Sequence, residues 1–139
     1  MRKFILTIGL SALSLSASSQ IVVRQETKDS TVWYSKLSGL PKLIHFYGNE
    51  YSDYTLYYKN AKYQYINDVK YISLGDKETA IEFFNMVMNT IKTGDKLSIE
   101  LNGELIIISK SFNTAYIYTD SSSFMISNKQ VDNILKVLN

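Results

Sequence analysis

Between Asp76 and Thr93 the apolar residues Ala80, Ile81, Phe84, Val87, Met88 and Ile91 recur at helical spacing, while Lys77, Glu78, Glu82, Asn85, Asn89 and Lys92 fall elsewhere. That pattern predicts an amphipathic helix over about 76–93 with one buried stripe. Its ends are marked as well. Asp76 can cap the first free amides, Glu78 and Lys92 suit the opposite charges of the two ends, and Gly94 can take the left-handed closing conformation. At the far end of the chain Ser127 and Gln130 are spaced as a capping box, followed by Val131, Ile134, Leu135 and Leu138. These predict a second amphipathic helix over about 128–138.

Elsewhere the period is two. Leu97, Ile99 and Leu101 alternate with Lys96, Ser98 and Glu100, and Asn102-Gly103 separates them from Glu104 to Lys110. Asn-Gly is suited to the positive φ values of a tight hairpin turn, so a hairpin is expected, its apolar second strand (Leu105 to Ile108) lying inside a sheet. Ala115 to Thr119 and Phe124 to Ser127 predict two more strands around a Ser-rich turn. In the first half, Val32 to Leu37, Leu43 to Tyr47, Thr55 to Tyr58, Lys62 to Ile66 and Val69 to Leu74 are β-branched and aromatic segments broken by Gly, Asn and Asp. They read as a strand meander, against a competing helix reading of Tyr47, Tyr51, Tyr54 and Tyr58, because Gly48 and Asn49 interrupt that face. No internal repeat is visible. Strand runs set beside separate helices predict the α+β class, an antiparallel β-sheet with the two helices packed on one face.

The N-terminus carries a different pattern: Arg2 and Lys3, an uncharged apolar run from Phe4 to Leu15, then Ser16-Ala17-Ser18-Ser19. A basic start, a short apolar middle and a small-residue exit are the marks of a cleaved signal peptide. The strongly apolar part is shorter than the roughly 20 residues that a spanning helix needs. The expected organisation is therefore a signal peptide over 1–19 and a single α+β domain over 20–139, exported to the periplasm or the exterior.

Charge then changes the picture. The formal net charge of +2 resides in Arg2 and Lys3, so the mature chain balances thirteen Lys or Arg against thirteen Asp or Glu. A neutral chain with no basic block is a poor partner for nucleic acid or for an anionic membrane. The chain has no cysteine, which removes thiol catalysis, cysteine metal sites and a lipoprotein anchor, and suits a bacterial periplasm better than a disulfide-dense secreted domain. His45, the one histidine, has no second imidazole for a multi-histidine metal site, and no phosphate loop or dinucleotide fingerprint occurs. No cofactor or metal is implied.

Nine of the eleven tyrosines lie between Tyr34 and Tyr71. Tyrosine pairs a rigid apolar ring with a hydrogen-bonding tip, so a sheet face lined with it can anchor a protein or stack on a sugar. Trp33, Tyr34, Tyr47, Tyr51, Tyr54 and Tyr57 are the candidate binding surface. The function expected is a small exported non-enzymatic binding protein that contacts a protein or carbohydrate. One alternative is a small hydrolase using Glu50, Asp53 or His45, although no Gly-x-Ser-x-Gly nucleophile turn occurs and Glu50-Asp53 or Asn67-Asp68 read as solvated turns. Another is a structural or inhibitory subunit that offers an edge strand or the terminal helix to an envelope assembly.

Overall fold

The computed structural model describes residues 27–63 and 67–139 of the chain. In order, the elements are β1 (Lys28–Tyr34), β2 (Lys42–Gly48), β3 (Tyr51–Lys59), β4 (Val69–Ser73), α1 (Lys77–Thr93), β5 (Leu97–Leu101), β6 (Glu104–Ser111), β7 (Thr114–Tyr118), β8 (Ser123–Ser127) and α2 (Asn128–Leu138). The fold is α+β, but the strands form two four-stranded antiparallel meanders, β1-β2-β3-β4 and β5-β6-β7-β8, where one sheet was expected. Strands joined by short turns pair with each other, and α1 stands between the two sets. The predicted signal peptide lies outside the described residues.

Both helices form where their caps place them. Asp76 accepts the Thr79 N–H at 2.9 Å, and α1 closes at Gly94, whose φ of 81° needs a residue without a β-carbon penalty. Ser127 and Gln130 complete both arms of the capping box on α2, at 3.0 and 3.2 Å. The order of elements therefore repeats, four strands then a helix, although the residues do not. Ala80, Phe83, Phe84 and Val87 stand four, seven, eight and eleven residues after the N-cap of α1, and Val131, Ile134, Leu135 and Leu138 stand at the same distances after the N-cap of α2.

The helices touch each other; α1 also touches β3, β6 and β7, and α2 touches β1 and β8. Their apolar faces join one cluster with Leu43, Leu56, Ile106, Ile108, Ile117 and Ile126, all fully buried. Burying each such side chain contributes about 1.5–3 kcal/mol before entropy is subtracted. The two sheets are tied together where β3 ends. Ala61 donates its N–H to the Ser123 carbonyl at 2.7 Å, Asn60 Oδ1 accepts the Ser123 N–H at 3.2 Å, and the Tyr58 ring stacks on Phe124 at 4.0 Å.

Three strand boundaries differ from expectation. β1 begins at Lys28 and stops at Tyr34, because Lys28 to Ser30 pair with Tyr47 to His45 while Ser35 turns back to Pro41 and Gly39. β3 begins at Tyr51 and not at Thr55, since a two-residue turn of Asn49 and Glu50 sets Gly48 directly opposite Tyr51. The strand expected from Lys62 to Ile66 starts in a turn, where Asn60 Oδ1 accepts the Lys62 N–H at 3.1 Å; residues 64–66 lie outside the described ones.

Candidate functional site

Residues directly opposite one another in an antiparallel pair share a face, and successive residues along a strand change face. On the first sheet, Leu43, Leu56 and Ile72 mark the face turned to the core. The opposite face carries Asp29, Thr31 and Tyr34 on β1, Lys42, Ile44 and Phe46 on β2, Tyr51, Asp53, Thr55 and Tyr57 on β3, and Val69, Tyr71 and Ser73 on β4.

The six predicted surface residues therefore separate. Tyr34, Tyr51 and Tyr57 lie on the outward face. Trp33, Tyr47 and Tyr54 do not: Trp33 sits opposite the fully buried Leu43 and packs on the core, Tyr54 is buried beneath a stacked His45 ring at 4.1 Å, and the Tyr47 ring lies tilted 5.0 Å from that same imidazole. A bulge between Thr31 and Trp33 sets this parity on β1. Adjacent aromatic residues in a strand cannot share a face, which is why Trp33 and Tyr34 part company.

What the register assembles instead is a row. Tyr34 lies opposite Lys42, Lys42 opposite Tyr57, and Tyr57 opposite Tyr71, so one line of side chains crosses all four strands. Tyr34 is 51 % and Tyr71 65 % exposed, and the Tyr57 and Tyr71 rings lie 5.8 Å apart. Partial burial, helped by Tyr71, Asp53 and Asp29, pushes the Tyr57 phenol above its ordinary range, so it stays a neutral donor. Tyr71 was missed from sequence. Its alternation with Ile72 puts it on an outward face, but only register places it beside Tyr57.

Asp53 is committed to structure. Its carboxylate accepts hydrogen bonds from the Thr55 and Ser73 hydroxyls and from the Gly75 N–H at 3.2 Å, which fixes the passage from β4 into α1. Glu50 sits in the β2–β3 turn at a φ of 57°. His45 Nε2 meets the Ser52 hydroxyl at 2.9 Å, on the core-turned face, with no hydrogen bond to its Nδ1 among the described residues. Among those residues no group of three or more His, Asp or Glu side chains is placed to hold a metal ion.

Desolvation holds the His45 imidazole below its ordinary value of 6.5, with Asp53 opposing. The unfolded chain then binds the proton more readily, so stability falls as pH drops from about 6.5 through the lower folded value. His45→Gln is expected to flatten the acid side of the unfolding midpoint against pH. An unchanged slope would contradict the assigned direction.

Comparison with protein families, with curated proteins and with solved structures finds no match to this chain.

Proposed function

We propose that the chain is an exported, non-enzymatic binding protein whose first sheet holds a partner protein on its outward face. The observation that carries this reading is the Tyr34–Lys42–Tyr57–Tyr71 row, which spans the sheet and includes two tyrosines more than half exposed. Rigid rings with polar tips act as anchors at little entropic cost, and a central lysine among them can meet a carboxylate. Export rests on the pattern of residues 1–19.

Carbohydrate is the other class of partner that tyrosines could hold. A sugar site needs free polar groups around its stacking rings. Here the Thr55 and Ser73 hydroxyls beside the row both donate to Asp53, which takes up two of the polar groups nearest the rings and favours a protein. The mature charge balance of thirteen against thirteen also fits a partner recognised by shape more than by field.

The test is capture from envelope extract by the mature domain and by a Tyr57→Ala, Tyr71→Ala double variant. Both positions are partly or largely exposed, so the variant is expected to keep its thermal midpoint. Loss of two anchors should weaken affinity for the captured protein by about 30-fold or more. Undiminished capture would overturn the reading, and binding confined to a glycan array would move the partner to the carbohydrate class.

A further inference from the structure

Each sheet has two edge strands, and three of the four edges are blunted. A bulge between Thr31 and Trp33 interrupts β1, the Ser73 carbonyl on β4 accepts the Asn102 side-chain amide at 2.9 Å, and the Ser123 carbonyl on β8 accepts the Ala61 N–H at 2.7 Å. β5 has no such cover. Among the described residues, no backbone hydrogen bond joins residues 96–100 to anything outside their own hairpin.

The hairpin turn decides which groups face that open edge. Leu101 and Glu104 flank the two-residue Asn102-Gly103 turn and bond to each other, and the alternation of an antiparallel ladder gives Ile99 and Leu97 the same role. Lys96, Ser98 and Glu100 therefore turn their N–H and C=O groups away from β6. All three are exposed.

This strand is complementary to itself. Reversed about Ser98, Lys96 stands opposite Glu100, Leu97 opposite Ile99, and Ser98 opposite its own copy. Neither Lys96 nor Glu100 belongs to an ion pair among the described residues. Centring the reversal on either charge would set like charges opposite each other, and centring it on Leu97 or Ile99 would leave both charges facing uncharged residues. A lysine alone guards an edge. With a glutamate at the mirrored position, it selects a register.

We propose that β5 pairs with β5 of a second copy, antiparallel about a two-fold axis through Ser98, so that two four-stranded sheets become one. On the outward side, Lys96 of each copy meets Glu100 of the other. On the core-turned side, Leu97 and Ile99, partly buried against their own core, cover each other's open flanks. α1 packs over β6 and β7, so it stands back from the approaching strand. The contact uses the same surface of both copies and closes at a dimer. It is separate from the outward face of the first sheet, and neither interface depends on the other.

Sedimentation velocity of residues 20–139 at low salt, over roughly a hundredfold range of concentration, tests the pairing. Mass is expected to rise with concentration and to stop at the dimer. Lys96→Glu or Glu100→Lys alone sets like charges opposite each other at both ends of the contact, and each should weaken self-association at least about tenfold. Both positions are exposed, so the thermal midpoint should hold. Mixing the two single variants puts opposite charges across the contact again and is expected to give a heterodimer, while the chain carrying both changes should dimerise as the wild type does. Hydrogen exchange supplies a backbone readout, because the Ser98 amide should exchange more slowly in the concentrated wild type than in the Lys96→Glu chain. A monomer at every concentration, single variants that associate normally, or a mixture that stays monomeric would each overturn the proposal. Growth beyond a dimer, or association lost only on changing Tyr57 and Tyr71, would overturn it as well.

Discussion

Phe84→Ala is expected to lower the unfolding free energy by about 3–5 kcal/mol, a large part of the roughly 5–15 kcal/mol that holds an ordinary domain together. Phe84 is fully buried on α1, the helix that touches β3 of one sheet and β6 and β7 of the other. Its ring meets Phe83 edge-on at 5.3 Å. Removing it takes away transfer free energy and also opens a cavity at the meeting point of both halves, where close packing limits collapse. Chemical denaturation should show the midpoint falling with the slope unchanged. A loss near 1 kcal/mol would mean that α1 is a peripheral cover and not the element that joins the sheets.

A second large effect is expected at Asn60, whose side chain is fully buried. Its Oδ1 accepts the N–H groups of Lys62 and Ser123, and its Nδ2 donates to Asp68 at 3.0 Å. Asn60→Ala leaves these partners unpaired and should cost about 1–3 kcal/mol. Asn60→Asp should cost more at neutral pH, about 3–5 kcal/mol, since it buries a carboxylate against that of Asp68 with no added counter-charge. The new carboxyl group would have its pKa raised by burial and by its neighbour. Its proton is then held more tightly in the folded state than in the unfolded one, so the deficit relative to wild type should shrink as pH falls from 7 toward 4. Unfolding midpoints at several pH values check this, and a deficit that stays constant would contradict the burial of position 60 beside Asp68.

These two sites differ in how far the sequence announces them. Phe84 sits on a stripe whose period, N-cap and C-cap are all local, so α1 and α2 are legible from residues within a few turns of one another. The Asn102-Gly103 hairpin is legible for the same reason, with Asn102 at a φ of 55° and Gly103 at 78°. Asn60 is not. Its role depends on Ser123, which only the folded chain brings near, and a buried asparagine looks in sequence like any turn residue.

The tyrosine surface is legible in composition and not in arrangement. Alternation alone separates Tyr51 and Tyr57 from Tyr54 and Tyr58, and Tyr34 from Trp33. Which strand faces lie together then depends on the bulge in β1 and on the Tyr57–Tyr71 register, and a slip of one residue would exchange the outward and core-turned sets. The division into two sheets also escapes a one-dimensional reading, because the strand runs on either side of α1 are equally compatible with a single continuous sheet.

Tyrosine-resolved oxidative footprinting of residues 20–139, alone and with any protein they retain from an envelope extract, tests the proposed binding face most directly. Protection is expected at Tyr34, Tyr57 and Tyr71, which the register aligns on one face, with Tyr47 on the opposite face left unchanged. Protection of Tyr47 with continued oxidation of Tyr34, Tyr57 and Tyr71 would place the partner elsewhere and contradict the assignment.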